Sequence, residues 1–127
     1  MPAPSKQGAQ VFQRAIVAKT ASYTVTAAES GTLFTNRGAT VAITFTLPAV
    51  TGLPPGTNYS FYGVSATGFT VASNGSSDNI VNKNDAGADS ITATTTSLII
   101  GAAVSVLWDG TSWLSTNDSS GMTYVVA

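Results

Sequence analysis

The chain has 127 residues, 43% hydrophobic and only 9% charged against the ~25% charged of typical globular domains, so it suits one domain with a modest core and a subunit covered by partners better than a free monomer. Its net charge of −1 divides into a mildly basic start, with Lys6, Arg14, Lys19 and Arg37 against Glu29, and a mildly acidic remainder, with Lys83 against Asp78, Asp85, Asp89, Asp109 and Asp118, a footprint too weak for nucleic-acid binding. The absence of Cys and His excludes disulfides, thiolate nucleophiles, the common zinc sites and any Ser-His or Cys-His pair.

Residues 1–10, MPAPSKQGAQ, carry two Pro and a Gly with nothing to bury, and read as extended. Residues 11–19, VFQRAIVAK, fit neither the helical nor the strand period cleanly, but their β-branched content favours a strand. That strand belongs either to the domain itself or to an arm that pairs with a neighbour's sheet edge through main-chain hydrogen bonds. The expected organisation is an extended N-terminal arm over residues 1–20 and one domain over 21–127.

Residues 23–27 alternate, and a second strand over 32–35 follows the turn residues Glu29-Ser30-Gly31. Residues 41–47 alternate strictly, placing Val41, Ile43, Phe45 and Leu47 on one side, until Pro48 ends the run. After the turn at Pro54-Pro55-Gly56, Tyr59 and Phe61 oppose Ser60 and Tyr62, and Phe69 and Val71 oppose Thr70 and Ala72. Residues 74–79 and 82–89 read as polar loops around a short apolar island, Ile80-Val81, and residues 90–93 and 97–100 read as strands.

Next, Val104, Val106 and Trp108 share one face ahead of Asp109-Gly110, a strong signal for a tight type I′ hairpin, and Trp113 follows. Whether Trp113 joins the face of Trp108 depends on the loop length. Residues 122–126, MTYVV, read as a last strand or a partner-seeking extension. Turns recur every 8 to 12 residues or so, which predicts an all-β fold, a single antiparallel β-sandwich or barrel-like domain. Phe45, Phe61, Trp108 and Trp113 are its expected core anchors. No apolar run nears the ~18 residues of a membrane span and no signal-peptide core is present, so the expectation is a soluble chain with no membrane partner.

Chemistry is sparse. Asp78, Asp85 and Asp89 with nearby Asn residues supply oxygens for Ca²⁺, but their spacing matches no EF-hand and such residues favour turns for their own hydrogen bonds. No carboxylate pair, no G-x-S-x-G and no phosphate-binding glycine loop is present. The expectation is a protein without catalytic activity, metal or cofactor. Tyr62, opposite in phase to Phe61, is the one aromatic placed to form an exposed platform for a sugar ring.

Taken in order, Tyr23-Thr24-Val25, Glu29-Ser30-Gly31, Gly38-Ala39, Ile43-Thr44-Phe45-Thr46-Leu47-Pro48, Gly56, Tyr59-Ser60-Phe61 and Val106-Leu107-Trp108-Asp109-Gly110-Thr111-Ser112-Trp113 resemble a β-rich module of tailed-bacteriophage virion proteins. The resemblance covers roughly residues 22–115. Such modules occur in head decoration, or cement, proteins and in head and tail fibres. The resemblance implies a structural protein, commonly a homotrimer. A short chain without a fibrous shaft is more similar to a decoration protein, made in the host cytoplasm and bound to the major capsid protein on the outer capsid surface.

In that setting Phe12 and Ile16 are the expected apolar contacts with the capsid, and Lys6, Arg14 and Lys19 the expected partners of its carboxylates. The alternative is a receptor- or carbohydrate-binding module of a phage tail or head fibre.

Overall fold

The computed structural model describes residues 13–75, 78–82, 85–93 and 99–116, and the backbone of 123–126. Eleven strands join one sheet: β1 (Ile16–Ala18), β2 (Tyr23–Thr24), β3 (Leu33–Thr35), β4 (Ile43–Thr46), β5 (Asn58–Tyr62), β6 (Phe69–Ala72), β7 (Ile80–Asn82), β8 (Asp85–Ala93), β9 (Ala103–Trp108), β10 (Trp113–Thr116) and β11 (Thr123–Val126). A single turn of 3-10 helix, Ala27–Glu29, separates β2 from β3. The all-β, barrel-like character matches the alternating sequence pattern.

The order along the sheet is β1-β3-β5-β9-β10-β7-β8-β6-β4-β2, with β11 pairing β8. Up to β6, each successive strand goes to the opposite half of the sheet. Thus β1, β3 and β5 lie side by side and parallel, as do β2, β4 and β6. Residues 16–72 therefore wind as three coils of two strands each, and β7 to β10 close the last coil through antiparallel pairings to β5 and β6.

Five strand pairs are parallel and five antiparallel, which corrects the expectation of a purely antiparallel sheet. Period-two alternation reports which side chains are buried, not the direction of the neighbouring strand.

The sheet curls until its halves face each other. Only residues 19–22 link β1 at one end of the sheet to β2 at the other, a span of no more than about 18 Å. Across the interior, the rings of Phe45 on β4 and Phe61 on β5 have centroids 5.0 Å apart, and those of Phe34 on β3 and Phe45 5.8 Å. Trp108 and Trp113, paired across the β9–β10 hairpin, have ring centroids 5.5 Å apart, and Tyr59 lies 6.0 Å from Trp113. Phe45, Phe61, Trp108 and Trp113 are all buried in this aromatic core.

The hairpin turn is longer than the sequence predicts. Four residues, 109–112, connect β9 to β10, Gly110 takes a φ of +98°, and the Asp109 N–H donates to the Ser112 carbonyl. The Asp109 carboxylate accepts from the Thr111 and Ser112 N–H groups at 2.8 and 2.7 Å, so Asp109 shapes the loop through its side chain. Those two bonds hold its carboxyl below the usual carboxylate range. The even count of four loop residues brings Trp113 opposite Trp108 and into the core.

Three other boundaries differ. Residues 85–89, read as part of a polar loop, belong to β8, where Asp85 accepts the Gly87 N–H at 2.8 Å and Ala88, Ile91 and Ala93 are buried. Small side chains let β8 lie in the middle of the sheet between β6 and β7. Ile99 and Ile100, read as strand, lie at a turn into Gly101 instead, and 97–98 fall outside the described residues. That turn packs on Gly63, where a Cβ would meet the Ile99 carbonyl oxygen at 2.6 Å. Val41 is exposed because β4 begins only at Ile43.

Candidate functional site

Strand register sorts the outward side chains into two contrasting faces. On one half, Ile16, Leu33, Ser60 and Ser105 stand in one row and Ala18, Thr35, Tyr62 and Ala103 in the next. Leu107 and Leu114 extend this face across β9 and β10. On the other half, the rows read Thr24, Thr46, Ala72, Ser90 and Thr44, Thr70, Thr92, with the Thr70 and Thr92 hydroxyls sharing a hydrogen bond of 3.1 Å. One outer face carries large apolar side chains around a Ser60–Ser105 hydroxyl pair at 2.7 Å, and the other is mostly threonine hydroxyls.

The aliphatic face holds a groove of about 460 Å³ lined by Ile16, Ala18, Leu33, Thr35, Tyr62 and Val64, with Arg37 at its border. Ile16 is 66% and Tyr62 43% exposed, and Ile100, 69% exposed, follows on the turn whose Gly101 lies against the Tyr62 hydroxyl. Grouped apolar side chains left in water are a common feature of interaction surfaces.

β1 is also the end of the sheet. Ala15 and Lys19 spend their main-chain groups on β3, since the Leu33 N–H donates to the Ala15 carbonyl and the Lys19 N–H to the Thr35 carbonyl, each at 2.9 Å. By strand alternation, the N–H and C=O groups of Ile16 and Ala18 point away from β3. Among the described residues no strand pairs with that edge.

Of the residues expected to touch the capsid, Lys6 and Phe12 lie outside the described residues. Ile16 projects from β1 into the groove. Arg14 and Lys19 are used within the chain. The Arg14 guanidinium donates to the Gly31 carbonyl at 3.2 Å and to the Ser60 hydroxyl at 3.0 Å, which straps the start of β1 across β3 and β5. The Lys19 ammonium sits 3.6 Å from the centre of the Tyr23 ring, a cation–π contact. The proposed arm over residues 1–20 thus shares its last residues with the sheet, because β1 pairs with β3 of the same chain.

Sequence reasoning missed two polar devices that hold this face. Asn36, directly after β3, is completely buried. Its side-chain oxygen accepts the Val64 and Ser65 N–H groups at 2.7 and 2.8 Å, and its amide donates to the Ser65 and Gly68 carbonyls. It clamps the β5–β6 connection, and an Asn two residues before Gly38 offers no sign of this beyond turn propensity.

The second is Glu29, whose carboxylate accepts from the Tyr23 hydroxyl at 2.8 and 2.9 Å, and from the Thr26 N–H and hydroxyl at 2.8 and 3.0 Å. Burial pulls its pKa upward, but these bonds and nearby Lys19 outweigh it and leave the carboxyl below its ordinary value. Tyr59 donates to the Thr26 carbonyl at 2.7 Å, and its hydroxyl is pushed up to about 12 by burial and then by the Glu29 charge.

Among the described residues, no three Asp, Glu, His or Cys side chains gather as a metal site, and Asp85 and Asp89 lie along β8. Nor is any described helix long and apolar enough to cross a membrane. No family model matches the sequence, and no curated protein matches it.

Proposed function

We propose that this chain is a structural virion protein that decorates the outer surface of a tailed-phage capsid and cements it as a homotrimer by bridging major capsid subunits. The observation that carries the reading is the largely apolar outer face with a β1 edge that no strand among the described residues pairs, in a chain only 9% charged. A surface of that kind gains by being covered, and specific interfaces need about 1,000 Å² or more. Binding that favours the expanded shell over its precursor stabilises the expanded state by mass action. No catalytic step, metal or cofactor enters.

Co-sedimentation with expanded and unexpanded shells of the phage that encodes the chain tests this. Binding to expanded shells, with a raised disruption temperature of those shells, is expected. Failure to bind either shell would overturn decoration.

Tyr62, exposed beside the groove, favours one alternative, a carbohydrate-binding module of a phage fibre, since an exposed ring offers a stacking platform. A glycan array separates the two, because decoration predicts no selective glycan signal.

A further inference from the structure

The described charges are unevenly placed along the sheet. Arg14, Lys19 and Arg37 all lie on or beside β1 and β3, accompanied by Glu29 alone, whereas Asp78, Asp85, Asp89 and Asp109 belong to the β7, β8 and β9–β10 region. The hydrogen bonds of Arg14 engage uncharged groups, so it keeps its charge beside the β1 edge, while Lys19, above the Tyr23 ring, is partly offset by Glu29. That edge therefore offers three things together: main-chain donors and acceptors on Ile16 and Ala18, an apolar groove between Ile16 and Tyr62, and a net positive charge with Arg37 at the groove border.

We infer that the free edge of β1 receives an extended, acidic segment of a partner protein as an added strand, with an apolar side chain in the Ile16–Tyr62 groove and a carboxylate against Arg37. An extended chain satisfies the edge in register because its own N–H and C=O groups repeat at the strand spacing. Side chains two apart on the added strand face the groove together, so an apolar residue and the carboxylate that meets Arg37 stand at alternate positions of one face. The choice of a protein segment as occupant rests on the assembly reading above, while the acidic and apolar chemistry follows from the edge itself. A second copy of this chain is a different occupant, and the test distinguishes it.

The full-length chain is titrated against a labelled peptide of about ten residues repeating valine–serine–glutamate–serine, and against its valine–serine–lysine–serine counterpart, with binding read by anisotropy. The acidic peptide should bind at least about tenfold more tightly, and an increase from about 0.05 M to about 0.5 M salt should weaken it.

Ala18→Pro removes an outward N–H and leaves the bonds to β3 intact, as proline is tolerated on an open strand edge. It should abolish peptide binding with an unchanged melting temperature. Arg37→Glu, which touches no core group, should reverse the preference between the two peptides, and Thr44→Gln on the hydroxyl face should change nothing. Equal binding of both peptides, no binding of the acidic one, or full binding by a folded Ala18→Pro variant would overturn the inference. Self-association of the chain that Ala18→Pro abolishes, without peptide binding, would assign the edge to a second copy and likewise overturn it. Capsid binding that Ala18→Pro leaves intact removes the strand-addition mode alone, and peptide binding without capsid binding removes the decoration reading alone.

Discussion

The two outer faces of the curled sheet are built on the same backbone geometry and the same aromatic core, yet they present opposite chemistry to the outside. Thr24, Thr44, Thr46, Thr70 and Thr92 cover one half with hydroxyls, of which those of Thr70 and Thr92 bond each other. Ile16, Leu33, Tyr62, Leu107 and Leu114 cover the other with apolar surface. A fold that can solvate one face with threonine has no structural need for isoleucine and tyrosine at equivalent positions of the other. Under the decoration proposal, a partner covers them and offsets their cost to solubility. The difference is what the proposed capsid contact rests on.

The strongest way to break the comparison is to remove the core that both faces share. Phe45→Ala deletes a ring packed against Phe34, Phe61 and Phe69 and should cost about 3–5 kcal/mol. Denaturant titration with amide exchange should show both faces loosening together.

Asn36→Ala acts next, because it strands the Val64 and Ser65 N–H groups, at an expected cost of about 1–3 kcal/mol. Exchange should accelerate at residues 64–68 beside the groove and stay unchanged across the threonine rows, so this variant divides the two faces.

Tyr62→Asp should shift stability by no more than about 0.5 kcal/mol, since the side chain is exposed, while abolishing co-sedimentation with capsids. Thr70→Asp should leave co-sedimentation intact, and the reverse pattern would assign the contact to the hydroxyl face.

The smallest effect is titration of Glu29. Its carboxyl has a folded pKa below the ordinary 4.5, so its contribution is fully present above the unfolded value and is lost as pH falls through the lower folded one. Urea midpoints should therefore fall on acidification below about pH 4.5, and Glu29→Gln should reduce that dependence.

Much of the fold was legible in the residues. Strict alternation marks Ile43, Phe45 and Leu47 as inward, the phase of Phe61 against Tyr62 separates core from surface, and Asp109-Gly110 marks the hairpin. What was not legible is pairing at a distance. Nothing in the residues of β3 says that its neighbours are β1 and β5 rather than β2 and β4, because parallel winding leaves the same inward and outward pattern as hairpins. Local polarity also misled at residues 85–89, where Asp85 accepts the Gly87 N–H within a strand, and the role of Asn36 depends on Val64, Ser65 and Gly68 arriving from a distant loop. The candidate surface was visible only in part. Ile16 was identified as apolar contact, but the groove needs Leu33, Tyr62 and Val64, which meet only after winding.

The closing of the last coil by β9, where Asn58 pairs with Leu107, has a consequence for how the chain is made. Synthesis delivers three parallel coils first, and the open flanks of β5 and β6 must wait for β8 and β9. Until most of the chain has left the ribosome, two rows of unpaired main-chain groups stay available beside a cluster of phenylalanines. Non-local pairings of this kind slow folding and lengthen exposure to other chains. Yield from rapid expression should therefore depend on translation rate and temperature more than on the stability of the finished domain.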